Sequence, residues 1–378
     1  MKLPLLSLYI HIPWCLKKCP YCDFYSKSIK IKKIPQKKYI QNLILDLDKN
    51  IKFIQSRKIH SIFIGGGTPN LIKPKYIKYL MKEIKKRTNF DKKIEITLES
   101  NPNSIKKDYF FKYKSSGINR LSLGIQSFNE KILNKINRNY TFKELIETIQ
   151  IIKKINFNQV NFDLMYSLPL QKKKEAIQDL KYAIKFKPSH ISWYQLCIEP
   201  KTFFYKKTPK LPNENESWKM FVQGHKKLKK KNFIQYEISA YAKKNNQCKH
   251  NLNYWKFGDY LGIGCGAHGK ITLKNGKILR TFKNKNINEF LQGKYTKKII
   301  YVKKKNLPFE FFLNNFRLNK PCKKKDFEIY TGIKKNKIKK TMQKAIKKKY
   351  IIENKKFWKK TKKGKLFLND LLELFLKI

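Results

Sequence analysis

The chain has 378 residues and a formal net charge of +61, from 87 Lys and Arg against 26 Asp and Glu. Hydrophobic residues make up 41%, enough to bury the core of one large domain plus a smaller one, which excludes an intrinsically disordered chain. Seven Cys, an odd number with three inside eight positions, exclude a secreted disulfide scaffold and suit metal-binding thiols in a reducing compartment. Such a charge could mark an acidic partner, nucleic acid above all. Nearly all of it is Lys, however, with only six Arg, and it is spread along the whole chain beside abundant Ile, Asn, Phe and Tyr. That pattern fits an AT-rich gene better than a nucleic-acid reader, which relies on Arg forks.

The apolar segment 3–12 is followed by no small-residue cleavage site, so it reads as a strand over 7–12 and not as a signal peptide. Further strands are expected at 61–64, 94–99, 120–125, 159–165 and 190–195, with helical apolar spacing between them at 39–54, 76–87, 142–153 and 175–186. Six β-then-α units imply a parallel sheet with helices outside. Six is two short of a closed eightfold barrel, so the expected α/β fold is a partial, open parallel barrel with its chemistry at the carboxyl ends of the strands. Beyond about residue 233 the pattern changes. Asn275-Gly276 between 271–273 and 277–279 signals a hairpin, and the Lys- and Asn-rich stretch 281–305 reads as a linker. From Leu307 onward, helical segments precede short strands at 350–352 and 357–358 and an apolar helix at 366–376. This smaller α+β module is winged-helix-like, read as a packing or lid element, with DNA contact as the alternative. The expected division is 1–285 and 300–378. No run reaches the length of a membrane span, so a soluble cytoplasmic protein is expected, not an integral membrane one.

The segment right after the first strand reads Cys15-x3-Cys19-x2-Cys22, with Tyr21 before the last Cys. Three thiolates on one loop can hold three irons of a cubane cluster and leave the fourth iron open to a small molecule. A structural zinc site needs a fourth ligand of comparable spacing; His11 lies within the strand and not on the loop, while Cys248 or Cys265 could in principle complete such a site. This spacing resembles the radical-SAM superfamily. The resemblance implies that S-adenosylmethionine chelates the open iron of a 4Fe–4S cluster, that an electron donor reduces the cluster, and that Tyr21 packs near the adenine.

Other strand ends carry polar groups. Gly65-Gly66-Gly67-Thr68 closes the second expected strand and permits close backbone approach to a ligand. Glu99, Gln126 and Asp163 lie at or near the ends of the next three, where an unpaired polar group is costly; three such places in succession favour a shared ligand. Gly264-x4-Gly269-Lys270 nearly matches a phosphate loop, but Ile271 replaces the needed hydroxyl and a hairpin follows, so the nucleotide reading is rejected. His250, Tyr254 and Trp255 form one short segment, either a haem contact with an axial imidazole or a core histidine beside aromatic packing.

Together these segments resemble the oxygen-independent coproporphyrinogen III oxidase family, and within it the HemW branch of haem chaperones. The resemblance runs almost end to end, through 6–24, 62–70, 119–128, 162–169, 192–200, 248–269 and 365–376. It implies S-adenosylmethionine contacts at Tyr9, Gly66, Gly67, Thr68, Glu99, Gln126, Arg138 and Asp163, and a haem contact at His250, Tyr254 and Trp255. It also implies haem as cargo and haem-acceptor proteins as partners, membrane respiratory proteins among them. Two departures set the chain apart from the true oxidases. Phe24 stands where they carry a further Cys, and only eight residues precede Tyr9, where they carry an extension over the active site. A chaperone is therefore expected, with porphyrinogen decarboxylation the first alternative and nucleic-acid binding the second.

Overall fold

The computed structural model describes residues 3–102 and 108–376. Six parallel strands follow one another in chain order: β1 (Leu6–Ile12), β2 (Ile59–Gly66), β3 (Phe90–Ser100), β4 (Arg120–Gln126), β5 (Gln159–Tyr166) and β6 (His190–Gln195). Each is hydrogen-bonded to the next. The first five are followed by α1 (Gln36–Asn50), α2 (Pro74–Arg87), α3 (Asp108–Ser115), α4 (Phe142–Ile155) and α5 (Lys173–Lys185), and α6 (Glu214–Lys230) comes after β6. All six expected strands and all four expected helices are present, with ends moved by a few residues. The strands are near-continuous apolar runs because both faces are covered; six of the seven β1 residues are buried. Helix boundaries follow local chemistry. A capping box of Thr141 and Glu144 starts α4, and Asn156 ends it at a φ of 57°.

The sheet extends past both edges of this set. On the β6 side, β7 (Ala240–Ala242) pairs antiparallel, with Ile234–Gln235 outside it. On the β1 side, β8 (Asp259–Ile263) pairs parallel, with Leu6 opposite Asp259. This seventh parallel strand is absent from the sequence reading; five residues bounded by glycines carry too short a pattern to declare a strand. Beyond it, β9 (His268–Thr272), β10 (Ile278–Lys283) and β11 (Thr296–Tyr301) run antiparallel. The expected hairpin is the β9–β10 connection, where Gly276 takes a φ of 81°. Among the described residues the sheet has twelve strands, and its two end strands, β11 and 234–235, are not paired with each other, as in an open barrel.

The linker expected over 281–305 is a correction. That stretch holds the end of β10, a short helix at Ile287–Leu291, and β11. Lysines on a solvent-facing edge strand look like a linker in sequence, yet they are what protects such an edge from further pairing.

Two buried ion pairs tie the added strands down. Asp259 on β8 accepts from Arg57 Nη1 at 2.7 Å, Lys270 Nζ at 2.9 Å and the Thr272 N–H at 2.7 Å. Lys283 on β10 pairs with Asp46 of α1 at 2.5 Å, and Asp46 also accepts from the Gly264 N–H at 2.9 Å. Lys270, the lysine of the near-match to a phosphate loop, is thus a buried structural cation, in agreement with the rejected nucleotide reading.

The C-terminal part contains α8 (Leu307–Asn315), α9 (Lys324–Thr331) and α10 (Lys339–Lys347), counted after α7 (Lys249–Trp255). A three-stranded antiparallel sheet of Cys322–Lys323, Phe357–Lys360 and Ile351–Glu353 packs with them. Phe311, Phe312, Phe327, Trp358 and Phe375 form its separate apolar core. The helix expected at 366–376 is broken into Lys362–Leu366 and Leu368–Glu373, with Phe367 leaving helical geometry between them. Among the described residues, no helix is long and apolar enough to cross a membrane.

Candidate cluster and cofactor site

The carboxyl ends of β1 to β6 converge on a cavity of about 330 Å³. The loop after β1 brings Cys15, Cys19 and Cys22 to its rim, each half-buried. Local pairing holds this loop. Trp14–Cys15 runs beside Lys27–Ser28, the Cys22 N–H closes a turn on the Cys19 carbonyl at 3.1 Å, and the Phe204 N–H reaches the Pro20 carbonyl at 3.0 Å. Burial, with the nearby Cys19 and Cys15 sulfurs, pushes the Cys22 thiol up to about 11. The positive charge of an iron cluster would favour the thiolate form of Cys22 here. Among the described residues, no three His, Cys, Asp or Glu side chains converge as a single metal ion requires. A cubane spreads its thiolates over separate irons and needs no such convergence. Among the described residues no histidine lines the cavity, nor do Cys248 and Cys265, so a structural zinc site made of Cys and His alone finds no fourth ligand on its wall.

Tyr21, Gly66, Gly67, Thr68, Glu99, Gln126, Arg138 and Asp163 all line the same cavity. The glycines are demanded by packing. Gly66 has a φ of +112°, and a Cβ there would lie 2.5 Å from the His11 ring; at Gly67 it would lie 2.5 Å from the Trp14 carbonyl oxygen. The Gly66 N–H donates to Glu99 Oε2 at 3.0 Å. The Gly67 and Thr68 N–H groups donate to the Ile12 and Trp14 carbonyls at 2.8 and 2.7 Å. All three donors are therefore used within the protein.

Gln126 has a left-handed φ of 65° at a register shift in the β4–β5 pairing. Such strain in a non-glycine residue is held where the surroundings impose it, often beside a functional site. Its Oε1 accepts from the Tyr194 hydroxyl at 3.1 Å. Asp163 accepts from Ser122 Oγ at 2.9 Å and Asn161 Nδ2 at 2.8 Å. Burial, then the charge of Asp163, raises the Glu99 carboxyl from 4.5 to about 8. Arg138 donates to Asn101 Oδ1 at 2.6 Å and to the Tyr21 hydroxyl at 3.3 Å. Its Nε is buried without an acceptor among the described residues. A cation with an unused donor and a carboxyl on the walls of one cavity fit an amino-acid headgroup, with one anionic and one cationic end.

Two expected positions lie elsewhere. Tyr9 points away from this cavity. Its hydroxyl meets His11 Nδ1 at 3.0 Å, and it lines an adjoining open cavity of about 430 Å³ with Tyr254 and Trp255. Phe24 lies on the walls of both cavities. His250 lines neither. Its Nδ1 meets Ser61 Oγ at 3.0 Å and its Nε2 the Tyr254 hydroxyl at 2.9 Å, so both ring nitrogens are engaged. Phe63 packs against the ring at 5.0 Å, and burial, with the charges of Arg120 and His60, lowers its pKa to about 3. The Glu95 carboxylate explains the placement: it caps α7 by accepting from the Lys249 and His250 N–H groups at 2.9 and 3.0 Å. As placed, His250 is a core histidine that orients Tyr254, and not an available axial ligand. Sequence reasoning missed Ser122, Ser192 and Tyr194 on the cluster-side wall. Their signal was available, since each is a polar residue within an apolar strand.

The Radical SAM superfamily model matches residues 9–183. The haem chaperone HemW of Buchnera aphidicola from Schizaphis graminum is 56% identical over 375 residues, which cover 99% of each chain. HemW of Escherichia coli is 45% identical, over 100% of this chain and 99% of its own. Among solved structures, coproporphyrinogen III oxidase (HemN) from Escherichia coli, described as a Radical SAM enzyme, superposes with a TM-score of 0.84 at 20% identity. That likeness covers 99% of this chain and 90% of the other, and it shows the shared fold. With this cavity at its strand ends and near-full-length identity to HemW proteins, the chain belongs to the HemW family of haem chaperones within the radical-SAM superfamily.

Proposed function

We propose that the chain binds haem and passes it to acceptor proteins, and that it carries a 4Fe–4S cluster on Cys15, Cys19 and Cys22 with S-adenosylmethionine beside it. The observation that carries this reading is the identity to proteins named haem chaperones over the full length of both chains. The cavity supports the cofactor part. Arg138 Nε would take the carboxylate of S-adenosylmethionine, Glu99 and the Gly66–Gly67 carbonyls its ammonium group, and Tyr21, Thr68, Gln126 and Asp163 the remainder of the wall. When bound, cluster and S-adenosylmethionine supply one-electron chemistry, for which an external electron donor is needed. On the haem side, Tyr254 and Trp255, with Tyr9, offer aromatic faces on the second cavity, while His250 holds the Tyr254 hydroxyl. We read the chain further as two domains, with the boundary expected at 285–300 moved to the end of β11 at Tyr301, which pairs with β10, and as working in the cytoplasm without a nucleic-acid partner.

The test is anaerobic titration of the cluster-loaded protein with haem, followed by transfer to a haem-free acceptor. A saturable Soret band and its movement to the acceptor are expected. In parallel, the protein is incubated with coproporphyrinogen III, S-adenosylmethionine and a reductant. Many turnovers to protoporphyrinogen IX would overturn the chaperone reading in favour of an oxidase.

A further inference from the structure

We infer that His268 at the start of β9 supplies the axial ligand to haem iron in the second cavity, with Lys285 and the Trp255 indole N–H set toward the propionates. This rests on the haem-binding reading above and assigns the site within it. Haem iron in proteins is held by His, Cys, Met or Tyr, and among the described residues neither Cys nor Met lines this cavity. Its four tyrosines are already committed. The Tyr9 hydroxyl meets His11, Tyr254 meets His250, Tyr25 donates to the Lys285 carbonyl, and Tyr260 accepts from Arg280 at 3.0 Å. His11 is committed as well, through Nδ1 to Tyr9 at 3.0 Å and Nε2 to the Tyr25 carbonyl at 2.8 Å.

His268 differs from all of these. It lines the cavity, is exposed, and packs edge-on against Phe282 at 4.8 Å. Neither of its ring nitrogens has a hydrogen-bond partner among the described residues. It stands on a strand, where backbone pairing with β10 fixes its position. The cations divide in the same way. Lys270 is spent on Asp259 and Arg280 on Glu310, whereas the Lys285 ammonium makes no ion pair among the described residues and lies 6.0 Å from the Tyr25 ring centre. The Trp255 N–H is buried without an acceptor among the described residues, although its ring is held by Arg317 at 4.4 Å. A flat, largely apolar ligand with one metal centre and two carboxylates on one edge matches this set of free groups.

The experiment titrates ferric haem into the full chain and into H268A, H250Q and K285E, reading affinity from the Soret band and ligation from electron paramagnetic resonance. Intact cluster absorbance confirms that each variant is folded. The wild type should show imidazole-ligated iron. H268A should lose that signature and bind at least about tenfold more weakly, and added free imidazole should restore it. H250Q should keep the signature, and K285E should weaken binding several-fold without changing ligation. If H268A keeps the imidazole signature, or H250Q alone loses it, the assignment is overturned while haem binding stands. If the wild type binds no haem, the underlying reading fails too.

Discussion

Glu99 should make the empty site less stable as pH rises, and replacing it should reverse that loss. Its carboxyl is raised from 4.5 to about 8, by burial first and by Asp163 second. The folded apoprotein thus keeps a proton that the unfolded chain gives up above pH 4.5. The stability tied to that proton is fully present below 4.5 and is lost as pH rises toward 8. Glu99→Gln copies the protonated acid in shape and charge, so its advantage over the wild type should grow with pH. Full linkage between those values would widen the gap by about 2.5 kcal/mol from pH 5 to pH 7, and water entering from the cavity reduces this to about 1–2 kcal/mol. Urea unfolding of the apoprotein at several pH values measures it, with the wild type and variant compared at each so that all other titrations cancel. The same substitution should weaken S-adenosylmethionine binding about tenfold or more, because a charge-assisted contact to its ammonium is lost. A stability gap that stays constant from pH 5 to pH 7 would show that Glu99 is already ionised in the empty site, and the argument for a carboxyl awaiting a cation would fall.

Other consequences are more direct. Cys15→Ala, Cys19→Ala and Cys22→Ala should each abolish the iron–sulfur absorbance after anaerobic reconstitution; retention of it in all three would remove the cluster from this loop. Lys270→Met should cost about 3 kcal/mol in urea unfolding, because it strips a buried partner from Asp259 while Arg57 and Thr272 keep theirs. Gly224→Ala in α6 would place a methyl 1.7 Å from the Trp193 ring, and the forced shift should cost about 3 kcal/mol, read as a lowered Tm.

The barrel was legible because a parallel sheet covered on both faces writes its strands as short, mostly apolar and buried stretches, as in β1, β4 and β5. What escaped notice was written in a different chemistry. β8 is short and needs β1 to define it, since its backbone partners lie some 250 residues earlier in sequence. β11 is an edge strand whose lysines face solvent, so its composition matches that of a linker. The single terminal helix looked continuous because apolar spacing records which side chains are buried, and it does not record a break such as Phe367 between two short turns.

The same distinction governs the site. Glu99, Gln126 and Asp163 were readable because a polar side chain in an apolar strand must be satisfied by something, and the ends of neighbouring strands face one cavity. At His250 and Tyr9, residue type states what a side chain can do, while its hydrogen bonds decide what remains for it to do. The His250 ring is consumed by Ser61 and Tyr254, an arrangement that Glu95 sets from across the chain by capping α7. His268, inside the near-match to a phosphate loop, has no hydrogen-bond partner on either ring nitrogen among the described residues. Which imidazole can reach iron was therefore decided by partners distant in sequence. That separation also explains why Tyr254 and Trp255 can serve the second cavity while the histidine beside them in sequence serves the core.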